Sequence, residues 1–194
     1  MKFSEEQLIL DYLGGRDAAF EELAQIYLGP IYNFIFRLVG NAGEAEDIAQ
    51  EVFFRVWKNL RQYKMGASFR AWIFGIARNA VIDKLRKKKD LAFSDLNNKD
   101  EENSFIDTLV DEGLLPSEEI EKVLQNEALV ELLGQLSFVC REVILLHYNQ
   151  GFSFEEIGNI LHASINTVKS RHHRALLTLR KLIKNAPKLD AGSY

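Results

Sequence analysis

The segment Gly151–Lys184 constrains the fold more than any other part of this chain, because it contains two helix starts separated by a tight turn. Ser153 and Glu156 have the spacing of a capping box, in which each side chain satisfies a backbone N–H at the start of a helix. Ser164 stands where it can cap a second helix, and His162 lies in the turn between the two. This arrangement predicts a helix-turn-helix.

The second helix of this segment has an apolar side and a basic side. By the helical period, the inward stripe consists of Val168, His172, Ala175, Leu176, Leu179 and Ile183. The residues predicted to face outward are Lys169, Ser170, Arg171, His173, Arg174 and Arg180. Residues 164–184 contain six basic residues and no acid, which suits the major groove of DNA. A three-helix bundle with a basic last helix that never contacts DNA is the alternative.

The whole chain predicts an all-α protein. It has only three prolines in 194 residues, and 47% of its residues are hydrophobic, which is enough to bury cores. No run approaches the roughly 18–20 apolar residues that a membrane span requires. The N-terminus does not resemble a signal peptide, and a single cysteine, Cys140, excludes an internal disulfide framework. We therefore expect a cytoplasmic protein without membrane insertion.

The net charge of −4 is distributed very unevenly. Residues 78–89 contain six basic residues against one acid, Asp83, whereas residues 90–121 contain eleven acids against one base, Lys99. Because phosphate contacts are local, the charge of each segment decides whether it suits nucleic acid. The acidic stretch has sparse apolar residues and predicts a linker. It either mimics nucleic acid or keeps two basic domains from binding DNA unprompted, and the residues do not separate these alternatives.

The first half of the chain predicts four amphipathic helices. They are expected at Glu5–Leu13, Ala18–Val39, Glu44–Leu60 and Phe69–Lys89. Asp17 is placed to cap the second helix, and the pair Gly29-Pro30 should kink or split it. Trp57 of the third helix and Trp72 of the fourth fall on the predicted core stripes.

The third helix carries a second pattern beside its core stripe. Its other face places one aromatic ring among polar and charged side chains, at Asp47, Gln50, Glu51, Phe54 and Lys58. This face is either solvated, with one exposed aromatic residue, or a docking face for a basic partner, with Phe54 as its anchor, and the pattern favours neither. The basic end of the fourth helix also has two interpretations. Its cations either offset the helix dipole or contact the phosphates of a nucleic acid.

The predicted architecture is two small helical domains joined by an acidic linker. The domains are expected at residues 1–90 and 117–186, with the linker at 91–116 and a tail at 187–194. In the second domain, a helix at 117–136 and another that Ser137 caps and Gly151 ends would support the helix-turn-helix. The four histidines lack a zinc-site spacing, and no catalytic constellation or phosphate loop is present, so we expect no metal, cofactor or active site.

Three segments in order resemble the extracytoplasmic-function (ECF) sigma factors, which are sigma-70-type specificity subunits of bacterial RNA polymerase. Ala45–Leu60 resembles their core-polymerase-binding segment, Phe69–Lys89 the segments that melt and read the −10 promoter element, and Arg141–Lys181 the −35-reading domain. The resemblance covers nearly the whole chain. It implies a protein that binds core polymerase and directs initiation at specific promoters, without enzymatic activity.

The resemblance also implies roles for individual residues. Facing the clamp helices of the largest polymerase subunit would be Asp47, Gln50, Glu51 and Phe54. Contacting the −10 element would be Tyr63, Arg78, Asn79, Asp83, Arg86 and Lys87, with the loop 61–68 receiving a flipped base. Contacting the −35 element would be Thr167, Lys169, Ser170, Arg171, His173 and Arg174. The flap of the second-largest subunit and an anti-sigma factor are further expected partners.

Two histidines depart from the family pattern. His162 stands where the family usually has glycine, which strains the chain if the turn needs a positive φ. His172 stands where Leu, Ile or Val usually packs, and burying an imidazole without a partner costs about 1–3 kcal/mol. Either His172 has a polar partner or its helix is seated loosely. The rival function is a repressor or activator that binds duplex DNA without polymerase.

Overall fold

The computed structural model of the chain describes residues 4–87 and 130–185. Every regular element in these two ranges is a helix, which confirms the all-α prediction. The described residues form two compact units, the first mainly from residues up to 87 and the second from most of residues 130–185. The predicted acidic linker, most of the helix predicted at 117–136 and the C-terminal tail lie outside the described residues.

Four α-helices and one short 3-10 helix form the N-terminal unit. They are α1 (Glu5–Leu13), α2 (Ala18–Val39), α3 (Ala42–Asn59), the 3-10 helix (Leu60–Gln62) and α4 (Phe69–Lys87). α3 packs against both α2 and α4, and α1 packs against α2. Phe34 of α2 and Phe74 of α4 are fully buried, and their rings meet edge to face with centroids 5.3 Å apart. The core therefore lies between α2, α3 and α4.

The sequence predicts a kink or a split at Gly29-Pro30, but α2 runs without interruption through Pro30, so the helix is not split there. Both residues lie on the exposed side, where water can satisfy the carbonyl that a proline leaves without a donor. Tyr27 and Ile31 on the opposite side are buried in the core and hold the helix on either side of the proline.

The start of α2 also differs from the prediction, because Asp17 makes no side-chain capping bond. Its backbone is already helical, with φ −57°, whereas a capping side chain needs an extended backbone to reach the free N–H groups. Backbone bonds replace the side-chain cap: the N–H of Ala19 donates to the carbonyl of Arg16, and that of Phe20 to the carbonyl of Asp17.

Both tryptophans are less buried than the sequence predicts. Trp57 is 51% exposed and lies beside Phe54, with ring centroids 6.1 Å apart. Trp72 is half-buried against the ring of Phe69. The apolar arc of α3 is wider than the surface that α2 and α4 cover, so Val52 and Val56 fill the core and Trp57 is left outside.

The C-terminal unit consists of four helical segments. They are α5 (Val130–Gly134), α6 (Phe138–Ile144) continuing as a π-helical turn (Leu145–Asn149), α7 (Phe154–Leu161) and α8 (Ile165–Asn185). α8 packs against α6 and also contacts α5. Gly151 ends the α6 segment with φ +69°, as predicted. Ser137 precedes α6 but its side chain makes no capping bond, so that prediction is wrong; the Ser137 carbonyl instead accepts from the N–H groups of Cys140 and Arg141.

Candidate nucleic-acid interface

α7 and α8 form the helix-turn-helix, and both of its predicted caps are present. The N–H and the hydroxyl of Ser153 each donate to the Glu156 carboxylate at 2.8 Å, and the Glu156 N–H donates to Ser153 Oγ at 3.2 Å. The Thr167 N–H donates to Ser164 Oγ at 3.1 Å. These bonds fix the residues at which the two helices begin.

The turn between α7 and α8 imposes two backbone requirements. His162 has φ +53°, so the turn does need the left-handed conformation that glycine adopts most easily. Gly158 is the second requirement, because a Cβ there would lie only 2.9 Å from the carbonyl oxygen of Ala163. The local sequence pattern does not single out Gly158, although a glycine inside an apolar-periodic helix is an available signal.

His172 has a polar partner, which answers the question raised by its place on the core stripe. Its Nε2 lies 3.0 Å from the Tyr148 hydroxyl, and the two rings stack with centroids 5.6 Å apart. Phe154 packs edge-on against His172, with centroids 5.0 Å apart. Burial, together with nearby His147 and His173, lowers the pKa of His172 to about 4. The imidazole is therefore neutral at neutral pH and has the polar partner that its burial requires.

The π-helical turn supplies both partners of this cluster, His147 and Tyr148. His147 Nδ1 lies 2.8 Å from the carbonyl oxygen of Phe152, and since a carbonyl only accepts, Nδ1 carries the proton. The His147 ring also meets the His172 ring edge to face, with centroids 5.4 Å apart. A chain of polar and ring contacts thus connects α8 to the segment that leads into α7.

Most of the side chains predicted to contact the −35 element are accessible on α8. Lys169 and Arg174 are exposed, and Thr167, Ser170 and His173 are partly exposed. The Thr167 hydroxyl lies 2.9 Å from that of Ser164.

Arg171 does not face outward as predicted. Its guanidinium Nη1 lies 3.7 Å from Glu142 Oε1, and its side chain is only 14% exposed. Glu142 itself is completely buried on α6, where a carboxylate requires a nearby cation. The helical period places Arg171 at the border of the apolar stripe, and only the tertiary structure shows which way its side chain turns.

The outward face of α3 keeps the predicted polymerase-contacting side chains exposed. They are Asp47, Gln50, Glu51 and Phe54. Phe54 is 55% exposed, and its neighbour Trp57, which the helical period places in the core, enlarges the aromatic surface. A groove of about 550 Å³ runs beside this face between α2 and α3, lined mainly by the apolar groups of Leu28, Ala49 and Phe53.

The side chains predicted to contact the −10 element differ in their exposure to solvent. Asn79, Arg86 and Lys87 are exposed on α4, whereas Arg78 is partly buried. Asp83 accepts a hydrogen bond from Arg55 of α3.

Tyr63, predicted to contact the −10 element, lies largely within the N-terminal unit. The residue is buried, and its hydroxyl donates to the carbonyl of Ala67. Its ring packs against those of Phe69 and Trp72, with centroids 5.4 Å away in each case. Tyr63 thus closes the loop 61–68, because the short loop brings the ring over the start of α4.

Ion pairs connect α3 with α4. Arg55 donates from Nε to Glu51 at 2.8 Å and from Nη1 to Asp83 at 2.9 Å, and these two bonds raise the pKa of Arg55. Lys84 Nζ lies 3.5 Å from Asp47. These five charged groups border a groove of about 270 Å³ between the helices. Carboxylates predicted to contact polymerase and a carboxylate predicted to contact DNA therefore share one cluster.

In residues 4–87 and 130–185, no three or more His, Cys, Asp and Glu side chains are grouped so that they could hold a metal ion. None of the helices in the part of the chain that the structure describes has the length and apolar content to cross a membrane.

Comparison with known proteins identifies the family. The sequence model of Sigma-70 region 2 matches residues 23–90, and that of Sigma-70, region 4 matches residues 126–179. The chain is 34% identical over 172 residues to the ECF RNA polymerase sigma factor SigW of Bacillus subtilis (strain 168), across 88% of this chain and 92% of SigW. The chain belongs to the ECF sigma factors of the sigma-70 family.

Two further sigma factors agree with this assignment, and two solved structures share the fold. The chain is 32% identical to SigX of Bacillus subtilis (strain 168), over 85% of this chain and 84% of SigX, and 31% identical to CarQ of Myxococcus xanthus, over 87% and 91%. Among solved structures, that of CnrH in complex with the cytosolic domain of CnrY has a TM-score of 0.67 and 24% identity, covering 94% of this chain and 99% of CnrH. The structure of RpoE in complex with the anti-sigma factor NepR from Bartonella quintana has a TM-score of 0.61 and 27% identity, covering 87% and 98%.

These matches establish the function of this sigma factor at the level of the family: it directs RNA polymerase to initiate transcription at specific promoters. The region 2 match contains α3 and α4, with the exposed face and the ion pairs described above. The region 4 match contains the helix-turn-helix and the polar cluster that seats α8.

Replacing Arg171 by alanine should destabilise the C-terminal unit of this sigma factor. Removing the cation takes an ion-pair partner away from the buried Glu142 carboxylate, a change that costs about 3 kcal/mol in buried pairs. Urea unfolding with hydrogen exchange of the α8 amides measures the loss. Lys169→Ala, at an exposed position of the same helix, should change the unfolding free energy by less than about 0.5 kcal/mol. Equal stability of the two variants would contradict a structural role for Arg171.

His172 should make the C-terminal unit of the sigma factor less stable in mild acid. Its folded pKa of about 4 lies below the ordinary value of 6.5, so the unfolded chain takes up a proton first as the pH falls. Neutral His172 makes its full contribution to the free energy of unfolding above pH 6.5. That free energy should decrease by about 1–2 kcal/mol as the pH falls to 4, allowing for the partial exposure of the side chain. Thermal unfolding at several pH values measures it. The variant His172→Leu should lack this component, and an NMR titration placing the His172 pKa near 6.5 would contradict the prediction.

Proposed function

We propose that α3 docks on the core polymerase, that α4 holds the −10 strand and that α8 reads the −35 element. The observation that carries this proposal is the exposed aromatic pair on α3, Phe54 and Trp57, beside the carboxylates Asp47 and Glu51. The proposed domains are residues 1–90 for docking and −10 recognition and 117–186 for −35 recognition. The acidic residues 91–116 link them.

The α3 face has the composition of a docking surface for a basic partner. Large aromatic rings act as anchors because they bury much area at little conformational cost, and surrounding carboxylates select a partner of opposite charge. Gln50 lies between this face and the apolar groove lined by Leu28 and Phe53. The proposed contact is made by Asp47, Gln50, Glu51 and Phe54 with the clamp helices of the largest subunit, and Trp57 extends it.

α4 offers a polar and basic surface for a separated promoter strand. Asn79 supplies an amide that can pair with a base edge, while Arg86 and Lys87 supply cations for phosphates. Arg78 and Asp83 lie on the same helix and complete the proposed set. Tyr63 is buried, so we assign its part in −10 recognition to the shape of the loop 61–68.

α8 offers both kinds of contact that a major-groove helix needs. Lys169 and Arg174 are exposed cations suited to phosphates, and Thr167, Ser170 and His173 are partly exposed groups suited to base edges. Arg171 is assigned a different role from the other members of the predicted set: its pairing with Glu142 orients the helix.

Two further partners follow from the same proposal. The C-terminal domain would dock near the flap of the second-largest polymerase subunit. The RpoE structure similar to this chain holds the anti-sigma factor NepR, and we extend a partner of that class to this protein. The protein would act in the cytoplasm beside polymerase, without cofactor or enzymatic activity of its own, since the proposed roles are binding and positioning alone.

Replacing Phe54 by alanine should weaken binding to core polymerase by about tenfold, as expected for loss of an aromatic anchor. Fluorescence anisotropy of the labelled full-length chain, titrated with core enzyme, measures this affinity. Leu10→Ala is the control, because Leu10 is an exposed apolar residue of α1 outside the proposed face. Tight, specific operator binding by the chain without polymerase, together with no measurable core binding, would instead support the independent DNA-binding regulator.

Replacing Arg174 by alanine should weaken holoenzyme binding to a promoter by about three- to tenfold and reduce the slope of affinity against salt by about one. Ser170→Ala should alter the preference among −35 sequences and leave the salt slope unchanged. Electrophoretic mobility shifts at several salt concentrations measure both quantities. Lys181→Ala, at an exposed position further along α8, is the control. An unchanged affinity for Arg174→Ala would contradict the assignment of this helix face.

A further inference from the structure

The groove between α3 and α4 brings three carboxylates and three cations together. They are Asp47, Glu51, Asp83, Arg55, Lys84 and Lys87. The paired side chains keep between 32% and 69% of their area exposed, so a partner can reach them from solvent.

These charges belong to two different proposed interfaces. Asp47 and Glu51 lie on the proposed polymerase face, whereas Asp83 and Lys87 lie on the helix proposed to hold the promoter strand. Arg55 and Lys84 have no role in either set. Each is nevertheless paired with a carboxylate of the polymerase face, Arg55 with Glu51 at 2.8 Å and Lys84 with Asp47 at 3.5 Å.

We propose that Arg55 and Lys84 are further contacts for promoter phosphates, and that docking on polymerase makes them available by engaging Asp47 and Glu51. This inference rests on the proposed function of the α3 face. Basic groups of the polymerase compete with Lys84 and Arg55 for the same carboxylate oxygens. Once those oxygens are occupied, the potential of the groove becomes more positive beside Lys87, where the DNA strand would lie.

The size of the effect follows from the exposure of the ion pairs. An exposed pair of this kind changes an affinity by about two- to fivefold. Arg55 keeps Asp83 as a second partner at 2.9 Å, so Lys84 gives the larger change. Linkage requires the reverse effect as well: DNA bound at Lys84 leaves Asp47 more available and strengthens polymerase binding by the same factor.

The free full-length chain tests the inference with a fluorescently labelled single-stranded DNA oligonucleotide at low salt. Asp47→Asn removes the partner of Lys84 as polymerase docking would, and should tighten binding of the oligonucleotide by about two- to fivefold. Glu46→Gln is the matched control, because it removes one negative charge from an exposed position of the same helix outside the groove. The gain for Asp47→Asn should exceed that of the control and should disappear when Lys84→Gln is added.

A gain no larger than that of Glu46→Gln, or one that persists with Lys84→Gln, overturns the inference. Core-polymerase affinity of the same variants is measured separately. Weaker core binding by Asp47→Asn without a Lys84-dependent gain in DNA binding overturns the inference alone and leaves the proposed function intact. Unchanged core binding by both Asp47→Asn and Phe54→Ala overturns the proposed docking face and this inference with it.

Discussion

The burial of one side of α3 between α2 and α4 is the constraint on which the N-terminal unit depends. Val52 and Val56 fill the core, so the opposite side of the helix must face solvent. Because a helix presents its two sides at a fixed angle, the packing that stabilises the domain also determines the direction in which Phe54 and Asp47 point. The proposed docking face is thus held in place by the core.

In the C-terminal unit, the inner side of the basic helix α8 contains polar groups that need partners. Two of these groups, His172 and Arg171, enter the packing against α6 through Tyr148 and Glu142. Each pairing compensates a group whose burial alone would be costly. The orientation of α8 is consequently specified by directional contacts in addition to apolar area, which suits a helix whose register on DNA matters.

Local signals in the sequence predict a large part of this structure. The capping box at Ser153 and Glu156, the cap at Ser164 and the helix end at Gly151 depend on a few neighbouring residues, and all are present. The positive φ at His162 could be anticipated because the family has glycine there. The exposed residues of α3 could be predicted from the helical period, since one face was already committed to the core.

The differences arise where the decision depends on distant parts of the chain. Whether Pro30 splits α2 depends on which side faces water, and whether Trp57 is buried depends on how much of α3 its neighbours cover. Tyr63 is aromatic and lies in a loop, but its burial follows from the rings of Phe69 and Trp72. Arg171 sits at a border of its helix, where the partner on α6 decides its direction. None of these outcomes is contained in the local pattern.

The close approach at Gly158 has a consequence for how such a protein can diversify. The contact that forbids a side chain there would be between its Cβ and the backbone carbonyl oxygen of Ala163, so it is independent of the residues that face outward from α8. Thr167 and Ser170 can therefore vary through evolution while the turn stays constant. Under the proposed assignment of α8 to the −35 element, promoter preference and foldability are encoded at separate positions, so new target genes can be acquired without rebuilding the helix-turn-helix.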